Sequence, residues 1–256
     1  MTRFPGLKGP ILAAVVLAVV LPATARADYH MRSPDEIDYL EWEFEHNGAA
    51  SFDRNPDKSG EMSETVEIGR GVTEWWHPEI EIGFGRDSGP DQRQRVQAVV
   101  WENIVRLTEP GENWADLGLY AEYAHATQAG VADSTAVGPL VQKDVGRTTH
   151  TFNLLFNKTI GSDQDNHAWD TSYAWQSRWN IWRAASPAIE IYGDAGKPDP
   201  FTHLETQQIL AGPILVGNTR LSGYGRLKYE VGPLFGLTSA SPATTLRWRL
   251  EWEVRF

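Results

Sequence analysis

Cysteine is missing from all 256 residues, which removes disulfides, thiolate metal centres and thiol redox chemistry from consideration. Methionine is scarce at three, one of them the initiator, and the seven histidines are scattered, so no soft-ligand cluster for copper can be drawn. Long apolar runs are lacking too. The one stretch that stands out, Ile11 to Leu21, is shorter than the ~20 residues a helix needs to cross a bilayer. Basic residues are the minority, 23 against 34 acidic, for a formal charge of −11. Nucleic-acid binding, which needs a basic footprint, is disfavoured.

What is present begins with an export signature. Arg3 and Lys8 precede the apolar run, and Ala25-Arg26-Ala27 follows it as a small-x-small cleavage site. Residues 1–27 are therefore expected to be a signal peptide, with the mature chain starting at Asp28. The signal carries three basic residues and no acid, which leaves 20 against 34, a net −14. Residues 28–34 read as a loose N-terminal arm.

The other end alternates without a break. Leu246, Trp248, Leu250, Trp252, Val254 and Phe256 are apolar, and Arg247, Arg249, Glu251, Glu253 and Arg255 between them are charged. Alternate residues of a strand point to opposite faces, so one face is oily and the other ionic. Eleven such residues rising ~3.3 Å each at ~45° tilt cover about 26 Å, close to the apolar band of an outer-membrane barrel. A strand of a soluble sandwich would alternate as well. Three further features favour the membrane: the export signal, eleven tryptophans clustered near strand ends, and a negative mean hydropathy of −0.40.

Period-two segments recur along residues 35–256, at 35–46, 62–70, 74–86, 92–107, 114–126, 148–160, 172–184, 188–194, 206–216 and 223–237, before the terminal strand. In the first of them Leu40, Trp42 and Phe44 oppose Glu41, Glu43 and Glu45. Eleven strands conflict with the even number usual in bacterial barrels. Placing a twelfth at Ala136 to Gln142 makes 47–60 and 127–135 outer loops, and 71–73, 143–146 and 185–187 inner turns. The expected fold is a single all-β antiparallel transmembrane barrel of twelve strands, with ten as the alternative.

Several stretches resemble a known group. Lys228-Tyr229-Glu230-Val231-Gly232-Pro233-Leu234-Phe235-Gly236-Leu237-Thr238, then Leu246 to Glu253, are similar to segments of proteobacterial outer-membrane barrels. Gly118 to Tyr123, Gln142 to Arg147, and Asn153-Leu154 resemble the same group. It is similar to the family named for a transporter of the phenol meta-cleavage pathway. The resemblance implies a barrel in the outer membrane of a Gram-negative bacterium and passage of small molecules. It carries over no substrate and no catalytic residues.

With the apolar partners facing lipid, the lumen would be lined by Glu41, Glu43, Glu45, Glu79, Glu81, Asp116, Glu122, Arg178, Glu190, Arg226, Arg247, Arg249, Glu251, Glu253 and Arg255. Leu40, Trp42, Phe44 and the six apolar residues of the last strand would face lipid. Closure of the first strand on the last is expected to set Glu45 beside Arg247 and Glu43 beside Arg249. Two readings of the lumen stand: a charge ladder that plugs a structural barrel, or an acidic surface selecting small cationic solutes in a narrow, passive pore.

A lipid hydrolase at the outer rim is a third possibility. The chain has no His-x-Ser, and His125-Ala126-Thr127 is the nearest equivalent. The oxygen-rich stretch Asp163 to Asp170 lacks the glycine and closing glutamate of a calcium loop and reads as a solvated loop. No cofactor, catalytic residue or metal ligand set is assigned. The expected partners are outer-membrane lipid, small solutes, and barrel-assembly machinery engaging the strand that ends at Phe256.

Overall fold

A computed structural model describes residues 29–256, apart from 90–91, 162–168, 198–202, 222 and 224. The signal segment, and the oxygen-rich loop up to residue 168, lie outside the described residues. Twelve strands form one closed barrel in which every strand pairs antiparallel with its sequence neighbours and the last closes on the first. They are β1 (Trp42–Phe52), β2 (Met62–Arg70), β3 (Trp76–Arg86), β4 (Arg95–Arg106), β5 (Asp116–Ala126), β6 (Asp133–Val145), β7 (Thr148–Ile160), β8 (Asp170–Trp179), β9 (Ser186–Gly196), β10 (Gln208–Leu221), β11 (Gly225–Gly236) and β12 (Thr244–Val254). The twelfth strand required by parity is β6.

Alternation places the apolar side chains outside. Ile80, Ile82, Val99, Trp101, Leu117, Leu119, Phe152, Trp175, Ile189, Leu215, Val231, Leu246 and Leu250 are exposed on the outer surface. Their sequence neighbours are the buried inward residues, among them Glu79, Glu102, Tyr120, Glu190, Arg247 and Arg249. Closure leaves no free sheet edge.

Prolines sit inside several strands, where a missing N–H interrupts the ladder. Three of them follow a glycine: Gly138-Pro139, Gly212-Pro213 and Gly232-Pro233. A Cβ on Gly138 would lie 1.8 Å from the Leu154 carbonyl oxygen, and one on Gly212 would lie 1.9 Å from that of Pro233. The glycine admits a close approach of strands where the proline has removed a hydrogen bond.

β1 starts and ends later than its sequence pattern implies. It begins at Trp42 and runs to Phe52, so the expected loop at 47–60 shrinks to 53–61. Between His46 and the terminal Phe52 its outward positions are the small residues Gly48 and Ala50, which erase the apolar alternation. The Trp248 indole of β12 covers Gly48, with ring atoms 2.2 Å from where a Cβ would be.

Ahead of β1, Pro34–Glu36 is a single 3-10 turn capped by Ser33, whose hydroxyl accepts from Asp35 N. Leu40 then adopts φ 65°, a left-handed conformation that turns the chain into the wall, and its N–H donates to the Gly71 carbonyl at 2.8 Å. It is exposed, but at the barrel mouth before the strand begins, not in the outward-facing row expected of it.

The segment 29–37 is not a loose arm. It runs through the inside of the barrel, with His30, Met31, Arg32, Ser33, Pro34 and Ile37 all buried. Met31 lies in an apolar cluster with Ala174, Ala188, Tyr192, Leu210, Ile214, Val216 and Leu234, joined by Tyr29. Ile37 joins Ile104, Tyr120, Ala136 and Leu140. Part of the interior is therefore hydrophobic core rather than the ionic lining expected, and the arm belongs to that core.

Candidate functional site: an acidic wall inside the barrel

The interior of β12 and β1–β5 carries two belts of glutamates set by strand register. In the first, Glu253, Glu43, Gly69, Glu79, Glu102 and Glu122 are successive cross-strand partners. In the second they are Glu251, Glu45, Glu67 and Glu81. The expected β1–β12 register is thus displaced by four residues: Glu45 faces Glu251 and Glu43 faces Glu253. Strand alternation leaves this slide open, because barrel shear shifts the pairing without changing which residues point inward.

Like charges directly opposed destabilise a sheet, so the belts depend on cations, Arg226 and Lys228 standing directly opposite Glu253 and Glu251 on β11 and Arg249 reaching Glu45 off register. Arg249 Nη2 lies 2.6 Å from Glu45 Oε2 and 2.8 Å from Glu251 Oε2. Lys228 Nζ is 2.8 Å from Glu251 and also pairs with Glu253, as does Arg226. Arg247, 1 % exposed, donates through Nε to Glu190 Oε2 at 2.7 Å and pairs through Nη2 with both Glu190 and Glu230.

The arm adds its own groups. Arg32 Nη2 donates to Glu102 Oε1 at 2.6 Å, and its guanidinium stacks 4.3 Å over the Tyr120 ring. Its backbone exchanges two hydrogen bonds with the Asn153 side chain, at 2.9 and 2.8 Å. Ser33 Oγ donates to Gln142 at 2.7 Å, Gln142 in turn donates to Asp35, and Glu36 accepts from Arg249 at 3.0 Å. Arg106 donates to the carbonyls of Pro34 and Ile37 at 3.0 and 2.8 Å. Partial burial, then the charge of Asp116, push the Asp35 carboxyl up to about 6 against the pull of Arg106. At the mouth, burial and the hydrogen bond that protonated Glu41 donates to Asp38 raise Glu41 to about 7.

The expected lining residues fall into three groups. Glu43, Glu45, Glu79, Asp116, Glu190, Arg247, Arg249, Glu251 and Glu253 are buried inside. Glu41, Glu81, Glu122, Arg178 and Arg226 are half-buried, with Arg178 at the mouth, where it donates to Asn180. Arg255 lies past the end of β12, exposed, 3.6 Å from Asp38, and lines nothing.

On the outer face Leu246, Leu250 and Phe256 are exposed, and Trp42, Phe44, Trp248 and Trp252 are half-buried, Phe44 stacking on Trp252 at 5.4 Å. Val254 departs from expectation: it is 8 % exposed at the strand end, where its cross-strand partner is Trp42.

Among the interior residues that sequence reasoning missed are His30, Glu67, His77 and Glu102, and a ligand set with them. His77 Nε2 lies 3.3 Å from Glu79 Oε1 and 3.7 Å from Glu43 Oε2. His30 Nε2 lies 3.4 Å from Glu45 Oε1, with Glu67 close by. Within each trio the three donor atoms lie within 4.8 Å of one another, as a metal ion would require. The sequence signal for the first was His77-Pro78-Glu79, a His-x-Glu on one strand face.

At the far rim, His125 Nδ1 is 3.0 Å from Asp133, which also accepts from Tyr123. The Thr127 hydroxyl donates to the Val96 carbonyl at 2.9 Å, which ties it to the backbone.

Fold and interior together define a closed twelve-stranded barrel with an apolar outside and an acid-walled, plugged inside. No protein-family model matches the chain, and no curated protein matches it by sequence. Among solved structures it is similar to a bacterial polysaccharide outer membrane secretin at TM-score 0.40 and 7 % identity, over 85 % of this chain and 100 % of that one. A likeness of that size carries no functional weight.

Proposed function

We propose that the protein is an outer-membrane barrel whose acidic lumen is closed by its own N-terminal arm, and that small cations pass when the arm leaves. The observation that carries this reading is an exposed apolar belt around a closed barrel whose interior holds buried glutamates and a docked arm. Lipid tolerates a sheet only when it is closed, and only with its oily face outward. The export signature supports delivery across the inner membrane, and the terminal strand, with Phe256 beyond it, supports recognition by barrel-assembly machinery. The resemblance to a transporter group agrees with passage of small molecules.

Closure follows from packing. Arg247, Tyr120, Leu140, Leu210, Leu234, Glu102, Glu190, Glu251 and Glu253 are fully buried side chains of the interior. Occlusion in the resting state follows, and this sets the reading apart from a permanently open pore. A hydrolytic role finds no support at the rim, where the candidate hydroxyl is bound to backbone.

The test is planar-bilayer recording of the mature chain beside a variant lacking residues 28–37. The expected result is a nearly silent wild type and discrete, cation-selective steps from the truncated barrel. Equal conductance from both chains would overturn the plug, and anion preference in a salt gradient would overturn the acidic selectivity.

A further inference from the structure

We propose that Glu43, His77 and Glu79 form a binding site for a first-row divalent transition cation inside the barrel wall. The three come from β1 and β3, on either side of Gly69 of β2, and are 3, 2 and 8 % exposed. Both ring nitrogens of His77 lack a hydrogen bond, and so does Glu43 Oε1. A buried imidazole with neither nitrogen satisfied, aimed at two carboxylates, is an expensive arrangement unless something binds there.

Distances and charge both fit an ion. Two bonds of 2.0–2.2 Å meeting at a tetrahedral angle place their ligand atoms about 3.4 Å apart. The His77–Glu79 and His77–Glu43 separations are 3.3 and 3.7 Å. A neutral imidazole with two carboxylates sums to −2, which a divalent cation cancels. Among the described residues no lysine or arginine pairs with Glu43, Glu67 or Glu79, whereas Glu45, Glu102, Glu190, Glu230, Glu251 and Glu253 each have one. The two carboxylates beside His77 are thus among those without a lysine or arginine ion pair.

Imidazole with carboxylate suits Zn²⁺, Mn²⁺ or Fe²⁺ better than Ca²⁺ or Mg²⁺, which take oxygen alone. Gly69 makes the space: a Cβ there would lie 2.3 Å from His77 Nε2 and 2.6 Å from Glu79 Oε1. Glu41, Glu43 and Glu253 also gather within 4.8 Å, an acidic approach from the half-buried mouth. The site does not depend on the membrane reading, because its ligands all come from the barrel wall.

The mature chain, refolded in detergent and checked for heat-modifiable migration, would be dialysed against Zn²⁺ and its retained metal measured. The expected result is stoichiometric retention of Zn²⁺, and with Co²⁺ in its place the visible absorption of a low-coordinate ion bearing a nitrogen ligand. His77→Gln, Glu79→Gln and Gly69→Ala, each confirmed as folded, should each lower affinity by more than about tenfold. Should all three variants fail to fold, wild type alone decides: Zn²⁺ should raise its urea midpoint, which binding to the folded state requires. A folded wild type that retains no Zn²⁺, shows no midpoint shift, or binds equally well after His77→Gln would overturn the site.

Discussion

Arg247→Met tests whether the barrel interior is a filled core or a wet channel. The Arg247 guanidinium is 1 % exposed and bridges Glu190 and Glu230, with Glu190 itself at 0 %. Removing one member of a buried pair strands the other, at a cost of about 3–5 kcal/mol. Glu190 would keep its hydrogen bonds from Gln176 at 2.8 Å and Tyr192 at 3.0 Å, which places the cost near the low end, about 3 kcal/mol. In Arg247→Met/Glu190→Gln the stranded charge of Glu190 is gone and only that of the less buried Glu230 is left, so the two changes should fall short of additivity by about 2 kcal/mol. Equilibrium urea unfolding in lipid vesicles, followed by tryptophan fluorescence, reads both quantities. A cost below about 1 kcal/mol with additive changes is what a solvent-exposed pair would give. That result would mean water reaches Arg247, and the occluded interior would be wrong.

Leu250→Arg, at an outward position 46 % exposed and midway along β12, should cost about 2–4 kcal/mol in a bilayer; tolerance comparable to a loop substitution in vesicle-refolding yields would refute the lipid-facing belt. Glu251→Gln should be milder than Arg247→Met, at about 1 kcal/mol, because Lys228 keeps Glu253 and Arg249 keeps Glu45; the same urea titration compares them. Asp35 makes arm docking pH-dependent: its carboxyl is raised to about 6 in the docked state against an ordinary 3.8, so docking binds a proton. Docking is then strongest below 3.8 and weakens as pH rises through the window up to about 6, with Asp116, Asp144 and Glu36 opposing and Arg106 favouring the ionised form. Protease cleavage of the arm should be faster at pH 8 than at pH 5, and Asp35→Asn should flatten the difference.

The wall was legible and its contents were not. Strand alternation is legible in β2 and β7 because Val66, Ile68, Phe152 and Ile160 lie exposed on the outer surface, so the local pattern carries the answer. β6 lacked a clean pattern around Gly138-Pro139, and only loop parity recovered it. β1 was misplaced because an aromatic ring from β12 supplies the apolar cover that its own Gly48 lacks. Register slipped by four residues since shear is a property of the whole barrel. The arm left no local trace, as its anchors Arg32–Glu102 and Arg32–Asn153 join residues far apart in sequence. His77 was hidden between Trp76 and Pro78, neither of which announces a polar inward position.

The position of the arm follows from how the interior divides its charge. Glutamates crowd the wall from β1 to β5, while on β11 and β12 Glu230, Glu251 and Glu253 stand among the cations Arg226, Lys228, Arg247 and Arg249. The arm carries one arginine, Arg32, and two carboxylates, Asp35 and Glu36, the second of them four residues on from the arginine. Arg32 meets Glu102 on the acidic side, and Glu36 meets Arg249 on the basic side. Rotated half a turn about its axis, the arm would press Glu36 toward the glutamates and Arg32 toward the arginines, and Met31 would leave its apolar cluster. Electrostatics and packing therefore select the same orientation, and the selection is strong because the charges are out of water. The same division explains why the acidic wall is not neutralised by the arm alone. One arginine satisfies Glu102, while Glu43 and Glu79 have His77 beside them and Glu67 accepts from Asn47 and Thr65.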